Sequence, residues 1–518
     1  MNKKGAQMDK YIILVSLLLL FILVSGWFYN QEYVKAEPAD LFEGIELAEN
    51  YKPLDHFNPL MTQRFGADPA GLVYDNRLYV YSTHDVLETD VEDNIQENTY
   101  GRIRTLNRIS SEDLVNWTDH GTILVSGFFG KAPWSGLSWA PDPAYKKIDG
   151  EDKFFLYFSD NANGIGVLTS DNPVGPFKDP IDEALIDRST PNTDIPWVFD
   201  PAVFVDDDGT AYLYYGGGVP EGKAEFPNSA RVVELNEDMI SLAGNPEVIE
   251  APFFFEAAYM NKIDDTYYFS YSTNFHSRHG AEGEHRPPAG TIAYMTSDDP
   301  LGPWEYQGVI LDNPHRFFGR GGNNHHSLIK FNNDWYMLYH SRVLEAEMSI
   351  SGGYRSTHID EVEINADGAI KPITATREGV EQIKSLNPYQ INEAETMAWS
   401  AGIETKETDE PGKHFGELNM VVTGMSTGSF IGVSGVDFGP ESPDTFTVKA
   451  ASENKGNVIK IAVGDPKGEA LGYLEIPNTG DKKEFIEKTI EVQDVTGEHD
   501  LFFIFAGESF YFDSWSFE

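Results

Sequence analysis

The sequence contains no cysteine, which excludes a disulfide framework and a thiolate zinc site. Any bound metal must therefore take oxygen or imidazole ligands. Basic residues are scarce: 38 Lys and Arg stand against 83 Asp and Glu, a formal net charge of -45. Such a chain repels polyanions, so nucleic acid and anionic membrane surfaces are poor partners and neutral ones fit better. Long helical patterns are absent over residues 58–384, which disfavours an α/β barrel. There is one long apolar run, from Tyr11 to Phe28. It follows Lys3, Lys4 and Lys10 and precedes Val34-Lys35-Ala36. That order is the order of a secretory signal with a cut after Ala36. At about 18 residues the run is also near the lower limit for a membrane span. Residues 1–36 are thus expected to be a signal peptide or a membrane anchor, with the rest of the chain extracellular and membrane contact only if the segment is retained.

What the sequence does contain is a repeat. Five segments start at Asp68, Asp142, Asp200, Glu256 and His325. Each begins with a polar residue, continues as a short apolar strand, turns at Asp, Asn or Gly, and returns as an aromatic-rich strand. The starts lie about 55–75 residues apart, room for about four strands each, the size of a propeller blade. The pattern predicts an all-β chain. A lead-in over residues 37–57 precedes a five-bladed β-propeller over 58–384, and a β-sandwich (jelly-roll) follows over 385–518, where alternating strand runs continue without the blade pattern.

In a propeller the innermost strands line one central channel, so the five starts would form a ring of Asp68, Asp142, Asp200, Glu256 and His325. Carboxylates brought together raise one another's pKa, so that one stays protonated while another is ionised. This is the division of labour that glycoside hydrolysis needs. Glu256, after Phe253-Phe254-Phe255, is the expected acid, because an apolar flank disfavours ionisation. Asp68, after Gly66-Ala67, is the expected base. A lone Asp-Pro before a strand is more often a turn signal than a catalytic group; the ring distinguishes these. His325 is either a ligand to a hard cation or a hydrogen-bonded pocket residue.

The motifs Gly66-Ala67-Asp68-Pro69, Trp139-Ala140-Pro141-Asp142, Phe199-Asp200-Pro201-Ala202, Phe255-Glu256-Ala257 and Asn324-His325-His326-Ser327 together resemble glycoside hydrolase family 43. These are five-bladed propeller enzymes that attack arabinose- and xylose-containing polysaccharides with inversion. The resemblance implies that Asp68 is the general base, Glu256 the general acid and Asp200 the carboxylate that orients the acid and raises its pKa. It implies that His325 is linked, often through water, to Ca2+. Asp142 is expected in the pocket but outside the catalytic trio. Trp139 and Phe255 are candidates for pocket wall, with core packing as the alternative, and Arg342 for a sugar contact, with a salt bridge as the alternative. Residues 200–218 and 251–274 resemble arabinoxylan arabinofuranohydrolases, which remove α-L-arabinofuranosyl side chains from arabinoxylan or its oligosaccharides; β-xylosidases use the same trio. Fructan-cleaving propeller enzymes are disfavoured, because their Asn-Asp-Pro-Asn start is missing.

At the C-terminal end Asn392-Glu393-Ala394-Glu395, Gly435-Val436-Asp437-Phe438-Gly439 and Phe512-Asp513-Ser514-Trp515 resemble carbohydrate-binding module family 6. The resemblance implies a structural Ca2+ held by Glu393, Glu395 and Asp513. Phe430 stands for the first aromatic of that family's sugar cleft. Lysines at 482 and 483 and Tyr511 occupy the places of the second aromatic and the asparagine, so a stabilising or differently specific module is expected. No organic cofactor is expected. The rival from another class is a non-catalytic surface protein that binds glycans.

Overall fold

The computed structural model describes residues 37–281, 283–412 and 418–518; the predicted signal or anchor, 1–36, lies outside the described residues. The chain divides into two compact units, residues 1–45 and 46–518. The described part of the first carries a short 3₁₀ turn, Pro38–Phe42. The second is built of strands, with two short helices, His315–Phe318 and Val343–Glu347, among its described residues. The expected all-β class holds.

Residues 67–362 make five antiparallel sheets in chain order, whose first strands are Ala67–Tyr74, Trp139–Ile148, Ala202–Val205, Phe254–Ile263 and His326–Phe331. Tight turns close the leading hairpins. Asp75-Asn76 and Asn332-Asn333 have positive φ at both residues, the backbone twist that matches a right-twisted hairpin and that Asn and Asp tolerate. The first strand of each sheet lies against the first strand of the next, and that of the fifth lies against that of the first. Each neighbouring pair of sheets also shares an apolar cluster. Tyr81 meets Leu156 and Phe158 between the first and second, and Leu338 and Ile359 of the fifth meet Val80 and Ile109 of the first.

The segment before the first sheet is fastened along the last. Leu60 N–H donates to Thr357 O (2.9 Å), Gly66 N–H to Arg355 O (2.9 Å), and the Asn58 amide exchanges two hydrogen bonds with the backbone of Ile359. Gly66 admits no side chain here, since a Cβ would stand 2.7 Å from Ser82 Oγ and 2.8 Å from Thr357 Oγ1. The two ends of the sheet series are therefore joined immediately before Asp68.

Residues 399–517 form two further antiparallel sheets around one core that draws Ile431, Phe503 and Phe505 from one and Phe446, Phe512 and Trp515 from the other. This region is tied to the first sheet by the backbone itself: Thr396–Met397 pairs with Trp117–Leu124 and covers that edge strand, which would otherwise present open donors and acceptors. Arg64, Asp119 and Thr405 bridge the same junction. Asp119 accepts from the guanidinium at 2.5 and 2.8 Å and from the Thr405 hydroxyl at 2.6 Å.

Candidate active site

Asp68 and Asp200 each sit at the inner end of a sheet with left-handed backbone, φ 49° and 50°, a conformation unusual for a non-glycine residue and concentrated at functional sites. Both are buried, as is Glu256. The register shows which residue of the second sheet corresponds. Ala67 pairs with Thr83 and Ala70 with Tyr81; Trp139 pairs with Ser159 and Asp142 with Tyr157. The counterpart of Asp68 is therefore Ala140, also left-handed at φ 42°, and Asp142 corresponds to Ala70. The shared Asp-Pro-Ala triplets at 68 and 142 are offset by two residues in the fold, so the expected ring has no carboxylate at its second position. Asp142 is spent locally: its Oδ2 accepts from Val203 N–H (2.7 Å), and burial pushes its carboxyl up to about 8.

The three remaining carboxylates have contrasting surroundings. Burial opposes charge on Asp68, but the Arg355 guanidinium, with His340 and His325 beside it, holds the carboxyl well below the usual range. Arg355 Nη1 donates to Asp68 Oδ1 (2.9 Å), and Thr83 Oγ1 donates to Oδ2 (2.8 Å). Arg355 is itself fixed by Asp85, which accepts from Nε (2.9 Å), Nη2 (2.8 Å) and the backbone N–H of residue 355 (3.0 Å). His340 Nδ1 accepts from Asp68 N–H (3.1 Å) while its Nε2 faces Asn323 O (3.0 Å).

Asp200 and Glu256 are pushed the other way. Burial, then the charge of Asp68, raises Asp200 well above an ordinary carboxyl, and burial, then Asp200 and Asp68, does the same to Glu256. Asp200 Oδ2 accepts from Ala257 N–H (3.0 Å), which ties it to the residue next to Glu256. Glu256 Oε1 is buried with no protein partner among the described residues, so one oxygen of this carboxyl is left for something that enters. His325 Nδ1 lies 3.6 Å from Asp68 Oδ1 and 3.7 Å from Asp200 Oδ2. Burial lowers the imidazole to about 4, so it is neutral at neutral pH.

A model of the glycosyl hydrolases family 43 matches residues 57–370. The chain belongs to glycoside hydrolase family 43. A model of carbohydrate binding module family 6 matches residues 393–518. An arabinoxylan arabinofuranohydrolase of Bacillus subtilis (strain 168) is 44% identical over 484 residues, covering 90% of this chain and 93% of that protein. One from Paenibacillus polymyxa is 42% identical over 476 residues, covering 89% of this chain and 74% of that protein. The crystal structure of a family 43 arabinoxylan arabinofuranohydrolase from Bacillus subtilis, in complex with cellotetraose, superposes with a TM-score of 0.87 at 43% identity over 90% of this chain and 99% of that one.

Around the trio of this family 43 chain stand residues both expected and missed. Trp139 is half-buried and donates from Nε1 to Tyr100 O (3.1 Å); the next residue, Ala140, donates its N–H to Thr83 Oγ1 (2.8 Å), which in turn donates to Asp68. Phe255 meets Trp197 edge-on (5.1 Å between centroids) and Phe275 (5.7 Å), so it belongs to an aromatic wall beside Glu256. Arg342 packs against Gly322 and Gly353, the glycines leading to His325 and Arg355; a Cβ on Gly322 would come within 2.7 Å of Nη2. Among the described residues its guanidinium has no ion pair or side-chain hydrogen bond, so the salt-bridge alternative finds no support. Arg355, Asp85, His340 and Tyr100 escaped the sequence reading. They lie outside the repeat starts, and Arg355 reaches Asp68 across 287 positions of sequence.

Metal sites are less marked: among the described residues no group of three or more His, Asp and Glu converges in ligand geometry. At the centre His325 offers one neutral imidazole, with carboxylate oxygens of Asp68 and Asp200 3.6 and 3.7 Å from its Nδ1. In the C-terminal module Glu395 is buried with Oε2 unpartnered, and burial, then Glu393, with Asp513 and Asp119 adding, raises its carboxyl well above the ordinary range. The carboxylates of Glu393 and Glu395 are oxygen donors that suit a hard cation, while Asp513 is paired with Lys449 (3.2 Å) and Asn419. The aromatic assigned to that module's sugar cleft fits less well: Phe430 is buried and packs edge-on to Phe502 (6.2 Å), leaving no face for a sugar.

Proposed function

We propose that this enzyme is an exo-acting, inverting glycoside hydrolase that removes α-L-arabinofuranosyl side chains from arabinoxylan or its oligosaccharides. The observation that carries the reading is the opposed tuning of two buried carboxyls: Asp68 held ionised by Arg355, and Glu256 held protonated by burial and by Asp200. In the reaction Glu256 passes its proton to the departing glycosidic oxygen, while Asp68 takes a proton from the water that attacks the anomeric carbon from the opposite face. Asp200, bonded beside the acid, keeps the acid's proton in place near neutral pH. The names of the Bacillus and Paenibacillus relatives support arabinose on xylan as the substrate. β-Xylosidase activity on the same trio is the second reading, favoured by more distant relatives named xylosidase/arabinosidase, such as that of Bacteroides ovatus, 32% identical over 346 residues.

The cyclic order of first strands and the shared clusters support a five-bladed propeller over 58–384, and the two C-terminal sheets around one core support a β-sandwich over 385–518. Glu393, Glu395 and Asp513 would hold Ca2+ in that module, where it would neutralise a buried charge surplus; His325 would face an ion at the propeller centre, and no proton transfer is routed through either. An extracellular setting rests on the basic-then-apolar order of residues 1–36.

The test is sugar release. Arabinose liberated from arabinoxylan, with Asp68→Ala and Glu256→Ala each about 10²–10⁴-fold slower, is the expected result. Binding of glycan without release of monosaccharide would instead leave a non-catalytic glycan-binding protein.

A further inference from the structure

Phe128 and Phe129 are 85% and 86% exposed and meet edge-on at 4.9 Å. They are not overflow from a core, because the same loop turns Val125 and Ala132 inward. Val125 and Ala132 are fully enclosed, and Trp134 is half-buried against Phe158 with its Nε1 bonded to Asp179 (2.7 Å). Nor is the loop loosely held. Gly127 N–H donates to Ser135 O (3.0 Å), Gly130 N–H to Gly127 O (2.7 Å), Ala132 N–H to Val125 O (2.8 Å), and the Ser135 and Ser126 hydroxyls bond at 2.7 Å. Gly130 presses on the backbone so closely that a Cβ there would lie 2.3 Å from Val125 O. A rigid loop thus holds two large apolar rings in water, where each forgoes the stabilisation that burial would bring.

Register fixes where this happens. Ala67, beside the base, pairs with Thr83; Thr83 pairs with Leu106; Leu106 pairs with Ile123. Three strand spacings carry this row roughly 14 Å outward from the inner strand. The loop leaves from Leu124 at the end of that row and returns to Trp139 and Ala140, whose N–H shares the Thr83 hydroxyl with Asp68. The phenylalanine pair therefore stands at the same end of the first sheet as Asp68, outside the pocket, in the loop that leads back to Trp139.

We propose that the exposed rings of Phe128 and Phe129, set nearly at right angles (84°), each offer a face to pyranose units of the polysaccharide backbone while one side chain occupies the pocket. The inference rests on the arabinoxylan reading above. The C–H faces of uncharged pyranose rings suit exposed aromatic rings, and the net charge of -45 selects a neutral polymer over an acidic one.

The experiment compares kcat/KM on soluble arabinoxylan with kcat/KM on an aryl α-L-arabinofuranoside, for the wild type and for the Phe128→Ala/Phe129→Ala double variant. The polymer-to-aryl ratio should fall about tenfold, through KM, and the Phe128→Trp/Phe129→Trp variant should restore it. An unchanged ratio, or equal loss on both substrates, overturns the proposal. If the wild type cleaves neither substrate, the arabinoxylan reading fails. The proposal is then judged by retention of the two proteins in xylan-containing native gels, where weaker retention of the alanine variant supports it and equal retention overturns it. A dimer in sedimentation that the alanine variant dissolves would assign the pair to a second copy of the chain and likewise overturn it.

Discussion

Replacing Arg355 with Lys should move the acidic limb of the pH–rate profile upward. In the structure one guanidinium serves two carboxylates: Nη1 is 2.9 Å from Asp68 Oδ1, while Nε and Nη2 grip Asp85 at 2.9 and 2.8 Å. A lysine ammonium has no fork and cannot hold both geometries. Coulomb's law with an effective dielectric constant of about 20 gives about 6 kcal/mol at such a separation. Opposite charges this close lower a carboxyl by about 1–3 pKa units in proteins, so losing the contact should raise Asp68 by a comparable amount. The sign follows from the role: the base works only when ionised. A raised pKa removes activity on the acid side, and activity recovers as pH rises, until Glu256 loses its proton. The assay is kcat/KM against pH on an aryl arabinofuranoside, with melting temperature followed in parallel. Asp85, left buried with a weaker partner, should cost stability, up to about 3–5 kcal/mol if it is wholly uncompensated. A uniform drop in rate with the acidic limb unmoved would refute this account of Asp68.

Asp200→Asn removes a group whose charge raises Glu256; the acid should lose its proton at lower pH, and the alkaline limb should shift downward in the same assay. Gly66→Ala places a Cβ 2.7 Å from Ser82 Oγ and should lower stability by about 1–3 kcal/mol, read as a lower melting temperature. Chelation of Ca2+ should lower the melting temperature of the wild type, and Asp513→Ala should make melting insensitive to chelator. An equal response in both proteins would remove Asp513 from the ion site.

The repeat was legible because each sheet restates the same physical demands: an apolar strand, a turn that tolerates positive φ, and an aromatic return strand. Asp68, Asp200 and Glu256 could be found because they begin such units, and the structure places all three buried and electrostatically linked. Asp142 was misleading for an equally physical reason. Its Asp-Pro-Ala triplet matches that of Asp68 letter for letter, but the register sets it two residues deeper, and nothing in a linear pattern distinguishes the two. Arg355, Asp85 and His340 were invisible because their meaning is a contact over hundreds of positions, made when the fifth sheet closes on the first. The assignment of Phe430 to a sugar cleft failed because an aromatic in a β-strand looks the same from sequence whether it faces solvent or, as here, the interior.

The most direct test of the central claim is to follow the first sugar released from arabinoxylan by proton NMR and identify its anomer before mutarotation. An ionised Asp68 activating water opposite a protonated Glu256 predicts β-configured arabinose from the α-linked side chain. Arabinose appearing first in the α configuration would mean retention and a carboxylate nucleophile, and would contradict the roles assigned to both residues.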